Sequence, residues 1–262
     1  MRALGAALVA SMLWMAAAQA ADCPRKGTLG TSRILAVDAA TTPRVGLKNF
    51  PQTLPLRDHE VVLTFDDGPW PPTTPSVLAE LARECVRATF FLIGKPASEH
   101  PDLVRRIAAG GHTIGHHTWL HRSLMQIRPE ETTEEIDRGI SAVEMALHGV
   151  ATTVPSTPFF RFPGFETTPA TLDLLQSRGI VVFGTDLWAR DWHAMTPKHQ
   201  LKLITERLKI ARKGIILFHD PKAQTEKMLP AFLRYLRDNH YHVVHVVPAA
   251  PVAVDGASRP SQ

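Results

Sequence analysis

The chain has 262 residues, of which 44% are hydrophobic and 21% are charged, and its formal net charge is +4. This length and composition are typical of a soluble globular protein with one large domain or two small ones. The basic residues are scattered rather than grouped in blocks, which argues against a nucleic-acid partner.

Residues 1–20 have the features of an export signal. Arg2 supplies a positive charge, residues 3–17 are almost wholly apolar or small, and residues 18–20 read Ala-Gln-Ala, which fits a cleavage site. The apolar run is short for a membrane span. We therefore expect cleavage after Ala20, no stable membrane anchor afterwards, and a location in the periplasm or outside the cell.

Residues 21–57 show no sustained hydrophobic period and contain four prolines, which predicts an extended N-terminal arm that wraps along the domain. The two cysteines of the sequence are Cys23 in this arm and Cys85 in a predicted helix. An oxidising compartment would permit a disulfide between them, but their spacing does not decide whether they pair.

Residues 58–248 alternate short apolar runs with amphipathic stretches, which predicts one α/β domain of parallel strands with right-handed crossovers. The sequence alone leaves a closed barrel and an open sheet as alternatives. The predicted strands are 61–65, 88–93, 112–114, 159–162, 180–184, 215–218 and 241–247, and the predicted helices are 75–85, 98–109, 130–148, 168–178, 198–212 and 225–238. Residues 249–262 are rich in Pro, Ala and Ser and are predicted to be a disordered tail.

Polar side chains follow the predicted strands at the point where each strand ends. The carboxyl ends of parallel strands meet at one edge of a sheet or barrel, so we expect these side chains to form one site. They are Asp66, Asp67, His117, Arg161, Asp186 and His219.

Asp66 and Asp67 end a buried apolar strand. Adjacent side chains point to opposite sides of an extended strand, so the two carboxylates would have different tasks, one with a metal and the other with protons. The alternative is an ordinary strand end that turns before Pro69.

His117 and His121 are four residues apart and would face the same way on a helical turn. Together with one carboxylate, two imidazoles are a known catalytic set for zinc that leaves a position for water. The alternative is a solvated helix start without metal.

Arg161 ends a strand with a planar guanidinium that suits the binding of a carboxylate. His219 ends a buried strand and is a candidate acid or base. Asp186 and Asp191 both follow the strand before it, and the sequence does not decide which of them takes part in the site.

Five segments carry a resemblance to a known family: residues 64–69, 117–121, 161–163, 191–192 and 217–219. In this order they resemble the motifs of the polysaccharide deacetylases, which are carbohydrate esterase family 4 or the NodB-homology group. The similarity covers about residues 58–248. It implies a distorted (β/α) barrel of about seven parallel strands.

The resemblance also implies a role for each matching residue. Asp67, His117 and His121 would bind a divalent metal, most often zinc, with cobalt or nickel as alternatives. Asp66 would be the general base that takes a proton from metal-activated water, and Arg161 would hold Asp66 in place.

His219 would be the general acid that protonates the leaving amine, and Asp191 would orient it. The substrate would be bound by residues around these groups, which are Trp192, Leu217, Gly164 and Phe165. The sequence differs from the common family pattern at His116, where many members have Asn, in the order Gly164-Phe165, and in the residues before Asp191. These differences bear on substrate choice more than on catalysis.

The sequence therefore predicts an exported, metal-dependent polysaccharide de-N-acetylase that hydrolyses acetamide groups of N-acetylglucosamine polymers, either peptidoglycan or chitin-like. The alternatives are an amidase of the same fold acting on a non-sugar amide, an O-acetyl xylan esterase, and an inactive carbohydrate-binding protein. The partner is an acetylated polysaccharide, and the sequence does not determine the oligomeric state.

Overall fold

The computed structural model describes residues 25–249 of the chain. Within this part, ten strands form one sheet and seven α-helices surround it. The strands are β1 (Thr31–Val37), β2 (Arg44–Val45), β3 (Glu60–Asp66), β4 (Thr89–Leu92), β5 (Thr113–His116), β6 (Phe159–Phe160), β7 (Val181–Phe183), β8 (Leu187–Trp188), β9 (Gly214–His219) and β10 (His242–Pro248). The helices are α1 (Thr74–Arg83), α2 (Gly94–Glu99), α3 (Pro101–Ala109), α4 (Pro129–His148), α5 (Pro169–Ser177), α6 (Pro197–Ala211) and α7 (Ala223–Asp238).

Strand β3 is the centre of the sheet, because three other strands pair with it. β9 is in register with it from Val61 to Asp66, whereas β10 pairs only with its first two residues and β4 with its last three. Strands β4 to β7 continue the sheet in chain order, and β8 pairs with β9. All of these pairings are parallel, and the strands form the distorted (β/α) barrel that the sequence predicted.

The two faces of β3 have different surroundings, as the alternation of side chains in a strand requires. Val61, Leu63 and Phe65 pack into the large core between the sheet and helices that include α1 and α7. On the other face, Thr64 and Asp66 bind a buried arginine inside the barrel. One buried strand therefore supplies both a core face and a face of the catalytic centre.

The seven predicted strands are present as β3 to β7, β9 and β10, but β1, β2 and β8 were not predicted. Strand β1 is only partly buried, and its apolar run is limited to its last four residues, 34–37. It is stabilised by parallel pairing with β10, and β2 pairs with β7, so the predicted arm contributes two strands to the sheet. Pairing partners this distant in sequence leave no local pattern to read.

The predicted helices are also present, with one difference. The stretch predicted as a single helix at 98–109 is divided, because α2 ends at Glu99 and α3 begins at Pro101. Proline fits the first turn of a helix but cannot continue one. Helices α5 and α6 each begin at a capping hydroxyl, since Thr168 accepts a hydrogen bond from the backbone N–H of Thr171 and Thr196 from that of His199.

Several predictions concern residues outside 25–249. They are the signal segment 1–20 and nearly all of the tail 249–262, and both stay predictions. Cys23 also lies outside this range, so its pairing with Cys85 stays the open question that the sequence left. Among the helices of the described part, none is both long enough and apolar enough to cross a membrane.

Candidate active site

A cleft of about 670 Å³ lies at the carboxyl ends of β3, β5 and β9. The structure places nine of the eleven predicted site residues in its lining, and the other two, Arg161 and Asp191, lie directly behind it. The lining residues are Asp66, Asp67, His117, His121, Phe162, Gly164, Phe165, Trp188, Trp192, Leu217, His219 and Lys222.

Arg161 fixes the carboxylate of Asp66 inside the barrel. Its Nη1 donates to Asp66 Oδ1 at 2.7 Å and to Thr64 Oγ1 at 2.8 Å, so it joins two side chains on the same face of β3. Its Nε and Nη2 donate to the backbone carbonyls of Phe183 and Gly184. Breaking a buried pair of this kind by removing one partner costs about 3–5 kcal/mol.

The guanidinium of Arg161 is fully buried and also lies 4.3 Å from the centre of the Phe91 ring. Burial lowers the pKa of Arg161, and the charge of Asp66 opposes this effect. An arginine keeps its charge under such conditions. Asp66 therefore has a permanent positive partner on one oxygen, while the rest of the carboxylate lines the cleft.

Asp67 leaves the extended conformation immediately after β3. Its φ is 73°, in the left-handed region, so the carboxylates of Asp66 and Asp67 both line the cleft instead of pointing to opposite sides. Asp67 Oδ1 lies 3.4 Å from the Nε2 atoms of both His117 and His121. One ligand atom from each of these three residues lies within 4.8 Å of the others.

These three side chains fit a divalent metal ion. The buried Oδ1 of Asp67 has no hydrogen-bond partner among the described residues, so neither histidine contact compensates it fully. His117 Nδ1 contacts the carbonyl oxygen of Arg161 at 2.6 Å, where it can only donate, and Nε2 is then the nitrogen with a free lone pair. Two imidazoles and one carboxylate are a common zinc set.

The charges of these residues depend on one another. Burial alone would raise the pKa of Asp67, but the neighbouring histidines hold it well below its usual range. Burial lowers the pKa of His121, and His117 lowers it further. The set is therefore anionic at the carboxylate and favours neutral imidazole at His121, which are the protonation states that bind a metal.

The prediction that His117 and His121 lie on a helical turn was wrong. Strand β5 ends at His116, and the following residues form an irregular turn in which Thr118 and His121 have φ of 64° and 57°. The Thr118 hydroxyl accepts a hydrogen bond from the backbone N–H of His121 and stabilises this turn. The two rings meet through the turn, with centroids 4.9 Å apart.

His219 ends β9 and is paired with Asp191. Its Nδ1 lies 2.7 Å from Asp191 Oδ1, and its backbone N–H donates to Asp191 Oδ2. The hydroxyl of Thr225 also donates to Asp191 Oδ2, and Gln224 donates to the Asp191 carbonyl. Burial lowers the pKa of His219, but Asp191 opposes it and, with Asp67, raises the pKa to about 9.

Asp186 and Asp191 have different surroundings in the structure. This bears on which of them takes part in the site, a question that the sequence left open. Asp186 accepts hydrogen bonds from the backbone N–H groups of Leu47 and Ile215 and from the hydroxyl of Thr53. Ile215 is near the start of β9, at the opposite end of the strand from His219. Asp186 therefore joins the N-terminal segment to the barrel, and Asp191 contacts the candidate acid.

Sequence reasoning missed several residues around the cleft. Trp188 and Lys222 line it, and Thr225 fixes Asp191. Asp220 is buried beside Gly68, where a Cβ would collide with its carboxylate, and burial raises the pKa of Asp220 to about 7. Lys222 and Asp220 lie just beyond the strand that ends in His219, and this position could have marked both as candidate site residues.

This arrangement suits the hydrolysis of an acyl group. One side of the cleft carries a metal-binding set and a carboxylate held by Arg161, and the other side carries a histidine whose Nδ1 is taken by Asp191. The Nε2 of that histidine lies 4.0 Å from Asp67 Oδ2. The candidate acid thus lies beside a metal-binding carboxylate, in the same cleft as the candidate base Asp66.

Comparison with known proteins agrees with this chemistry. The sequence profile of the family described as "Polysaccharide deacetylase" matches residues 54–183. A chitooligosaccharide deacetylase of Azorhizobium caulinodans is 35% identical over 161 residues, which are 61% of this chain and 73% of the relative. A peptidoglycan-N-acetylglucosamine deacetylase of Bacillus cereus is 45% identical over 82 residues, but these are only 31% of this chain and 30% of the relative.

A solved structure gives the same result for the fold. The peptidoglycan deacetylase of Bdellovibrio bacteriovorus superposes with a TM-score of 0.75 and 28% identity, over 87% of this chain and 62% of that chain. Fold, motif order and sequence identity over most of the Azorhizobium relative agree, and the chain belongs to the polysaccharide deacetylase family.

Proposed function

We propose that the protein is an exported, metal-dependent de-N-acetylase of polymers that contain N-acetylglucosamine. The observation that carries this proposal is the single cleft that brings together Asp67, His117 and His121, the Asp66–Arg161 pair and the His219–Asp191 pair. The relatives named as peptidoglycan and chitooligosaccharide deacetylases support the substrate class.

Different residues bind the metal, accept the proton and position the base during hydrolysis. Asp67, His117 and His121 would hold the cation, which when bound supplies a positive charge that polarises the acetamide carbonyl and acidifies water. Asp66 accepts the proton of the attacking water. Arg161 keeps Asp66 oriented and bonds only one carboxylate oxygen, which leaves the other oxygen to accept the proton. Thr64 and two backbone carbonyls prevent the guanidinium from moving away.

His219 donates the proton that the leaving group needs. An amine is a poor leaving group unless it is protonated, whereas an alcohol leaves more readily. Because Nδ1 faces Asp191, the proton at Nε2 is the one available to the cleft. A histidine whose pKa is raised to about 9 against the effect of burial is protonated near neutral pH, which favours amide over ester hydrolysis.

Acetate release tests this proposal. The zinc-loaded protein is incubated with chito-oligosaccharides, peptidoglycan and acetylated xylan, with and without a chelator. We expect chelator-sensitive release from at least one N-acetylated polymer. No release from any substrate while zinc is bound at one equivalent would contradict the proposed activity.

Two variants distinguish the role of the metal-binding residues from that of the proposed base. Asp66→Asn is expected to lower turnover by about 10²–10⁴-fold and to retain zinc, because it removes only the proton acceptor. His121→Ala is expected to lose both zinc and turnover, and exposed Asp102→Asn is the control. Equal loss of zinc in the first two variants would show that the two carboxylates do not have the separate roles proposed here.

A further inference from the structure

A second groove, of about 380 Å³, lies next to the catalytic cleft. Trp188 lines both of them. Beyond Trp188, the groove is bordered by Leu47, Lys48, Arg207 and Ile210. The side chains of Leu47 and Ile210 are 59% and 85% exposed, so the groove is open to a large ligand. Its main-chain wall is fixed, since the N–H of Lys48 donates to the Thr185 carbonyl.

Aromatic rings mark a path from the catalytic centre into this groove. The Trp192 ring lies 5.9 Å from that of His219, and the Trp188 ring lies 6.1 Å from that of Trp192. Lys48 Nζ then lies 5.4 Å from the Trp188 ring. Sugar rings have apolar C–H faces that pack on aromatic side chains, so this path suits a polysaccharide strand.

The path is also basic. Lys48 and Arg207 line the groove, and Lys222 lines the cleft. Arg207 is held by a 2.7 Å hydrogen bond from Nη1 to the Trp188 carbonyl. Within residues 25–249, none of the three basic side chains that line the path has an ion pair with a carboxylate; they are Lys48, Arg207 and Lys222.

The acidic residues that line the path have other partners or a separate role within the protein. Asp186 lines the groove, but its two oxygens accept three hydrogen bonds from the protein. In the cleft, Asp66 is bound by Arg161, and Asp67 belongs to the metal-binding set. Lys48, Arg207 and Lys222 therefore line the ligand space without a carboxylate in ion-pair contact, which favours a negatively charged ligand.

We propose that the substrate is a carboxylate-bearing glycan that runs from the cleft over Trp192 and Trp188 into the groove. Lys222 binds a carboxylate beside the reacting sugar, and Lys48 and Arg207 bind one further along the strand. This inference rests on the proposed deacetylase function and narrows its substrate to an anionic N-acetylglucosamine polymer rather than a neutral one.

The test compares two forms of one substrate. Peptidoglycan glycan fragments are used with their carboxylates free and after conversion of the same carboxylates to amides. For the wild-type protein, we expect kcat/KM to be about tenfold higher on the free form, from two partly exposed ion pairs. The difference is expected to shrink in high salt.

Variants identify the residues responsible. The double variant Lys48→Gln/Lys222→Gln is expected to lose the preference for the free carboxylates, and Lys48→Arg/Lys222→Arg is expected to keep it. Lys26→Gln is the control, because Lys26 is exposed and precedes the amino end of β1. Equal kcat/KM on both forms for the wild type, or equal losses on both forms in the Gln variant, would overturn the inference.

Calorimetric binding of the same fragments separates this inference from the proposed function. If no fragment is deacetylated, the deacetylase proposal fails, but tighter binding of the free form by the wild type, and not by the Gln variant, still supports the groove. If fragments are deacetylated and both forms bind equally, the function stands and the anionic substrate does not.

Discussion

Asp66 and Asp67 are neighbours in the chain but differ in their partners. Arg161 binds one oxygen of Asp66, whereas two histidines face Asp67. The left-handed φ of Asp67 turns its carboxylate into the same cleft. The backbone at this one residue therefore brings a base and a metal ligand together, although their side chains would diverge on an extended strand.

Asp191 sets the acidity of His219. We expect Asp191→Asn to lower the pKa of His219 by at least about one unit, because the carboxylate that stabilises the imidazolium is lost. His219 acts in its protonated form, so the alkaline limb of the pH profile of kcat/KM should move to lower pH. A cation at Asp67 offsets the contribution of that carboxylate, so the limb of the active enzyme lies below 9.

The measurement is the pH profile of kcat/KM for acetate release by the wild type and the variant. Asp137→Asn, which removes a surface pair with Arg178, serves as the control and should leave the limb in place. A variant that is slower at every pH with an unmoved alkaline limb would contradict the assignment of His219 as the acid.

The sequence allowed the candidate catalytic and metal-binding residues to be predicted, but not the neutral residues that hold them. Asp66, His117 and His219 stand out because charged or titratable groups are costly at the ends of buried strands. Thr64 and Thr225 bind Arg161 and Asp191, yet threonine is common in strands and helices and gives no such signal. The choice between Asp191 and Asp186 required the three-dimensional structure, which shows that Asp191 contacts the end of β9 and Asp186 contacts its start.

At the level of elements, the turn that carries the metal-binding histidines packs directly on α4. A Cβ at Gly139 of α4 would lie 2.5 Å from the carbonyl carbon of Thr118. Gly94, at the start of α2, approaches the same glycine, where an added Cβ would lie 2.7 Å from the Gly139 Cα. The absence of a side chain at Gly139 therefore lets the turn lie against the helix.

Gly139→Ala tests this contact. In an exposed helix, Ala in place of Gly is stabilising by about 1 kcal/mol. Here we expect destabilisation of about 1–3 kcal/mol from overpacking, and weaker zinc binding because His121 must move with the turn. Chemical denaturation and zinc competition with a chelator measure both effects.

The control for this variant is Glu134→Ala on the exposed side of α4, where only an ion pair with Arg138 is lost. Its stability should change by less than about 0.5 kcal/mol. Stabilisation by Gly139→Ala with unchanged zinc affinity would show that the turn does not depend on this contact.

Elements with a continuous buried pattern could be predicted from sequence, and elements that depend on distant partners could not. All seven residues of β3 are buried and form an unbroken run. β8 has two residues and exists only by pairing with β9. The error at His117 and His121 has a similar cause, because a four-residue spacing fits a helix as well as this irregular turn.

At the scale of the whole molecule, three histidines among residues 25–249 are buried without lining the catalytic cleft: His112, His245 and His116, which adjoins the metal-binding His117. His112 precedes β5 and His245 lies in β10, where its Nε2 contacts the hydroxyl of Thr113. Burial, assisted by the nearby charge of Arg87, lowers the pKa of each to about 4. The folded protein therefore keeps both histidines neutral at pH values where the unfolded chain binds protons.

This difference predicts acid sensitivity. Stability should be complete above the unfolded pKa of about 6.5 and should fall as the pH is lowered toward 4, because the unfolded state binds more protons in that window. The slope is at most about 1.4 kcal/mol per pH unit for each histidine. Urea unfolding at several pH values, with a chelator present, measures it.

His245→Gln should reduce this slope by up to about 1.4 kcal/mol per pH unit, which is the contribution of one proton. His242→Gln, at an exposed position of the same strand, should leave the slope unchanged. A free energy of unfolding that is independent of pH between about 7 and 5 in the wild type would contradict the prediction. Glu60, whose pKa is lowered mainly by its bond with Arg33, acts below this window. Asp220, whose pKa is raised to about 7, acts within it in the opposite direction and offsets part of the slope.

The pairing of β1 with β10 has a consequence for how the chain folds. Ser32 donates a hydrogen bond to the carbonyl of Val243, 211 residues further along the chain, and β1 pairs with no other strand among the described residues. The first strand of the fold therefore gains its partner only after the last strand has been synthesised. Contacts of such long sequence separation form late and slowly, so the N-terminal segment remains unpaired during synthesis and stays accessible to the factors that handle nascent chains.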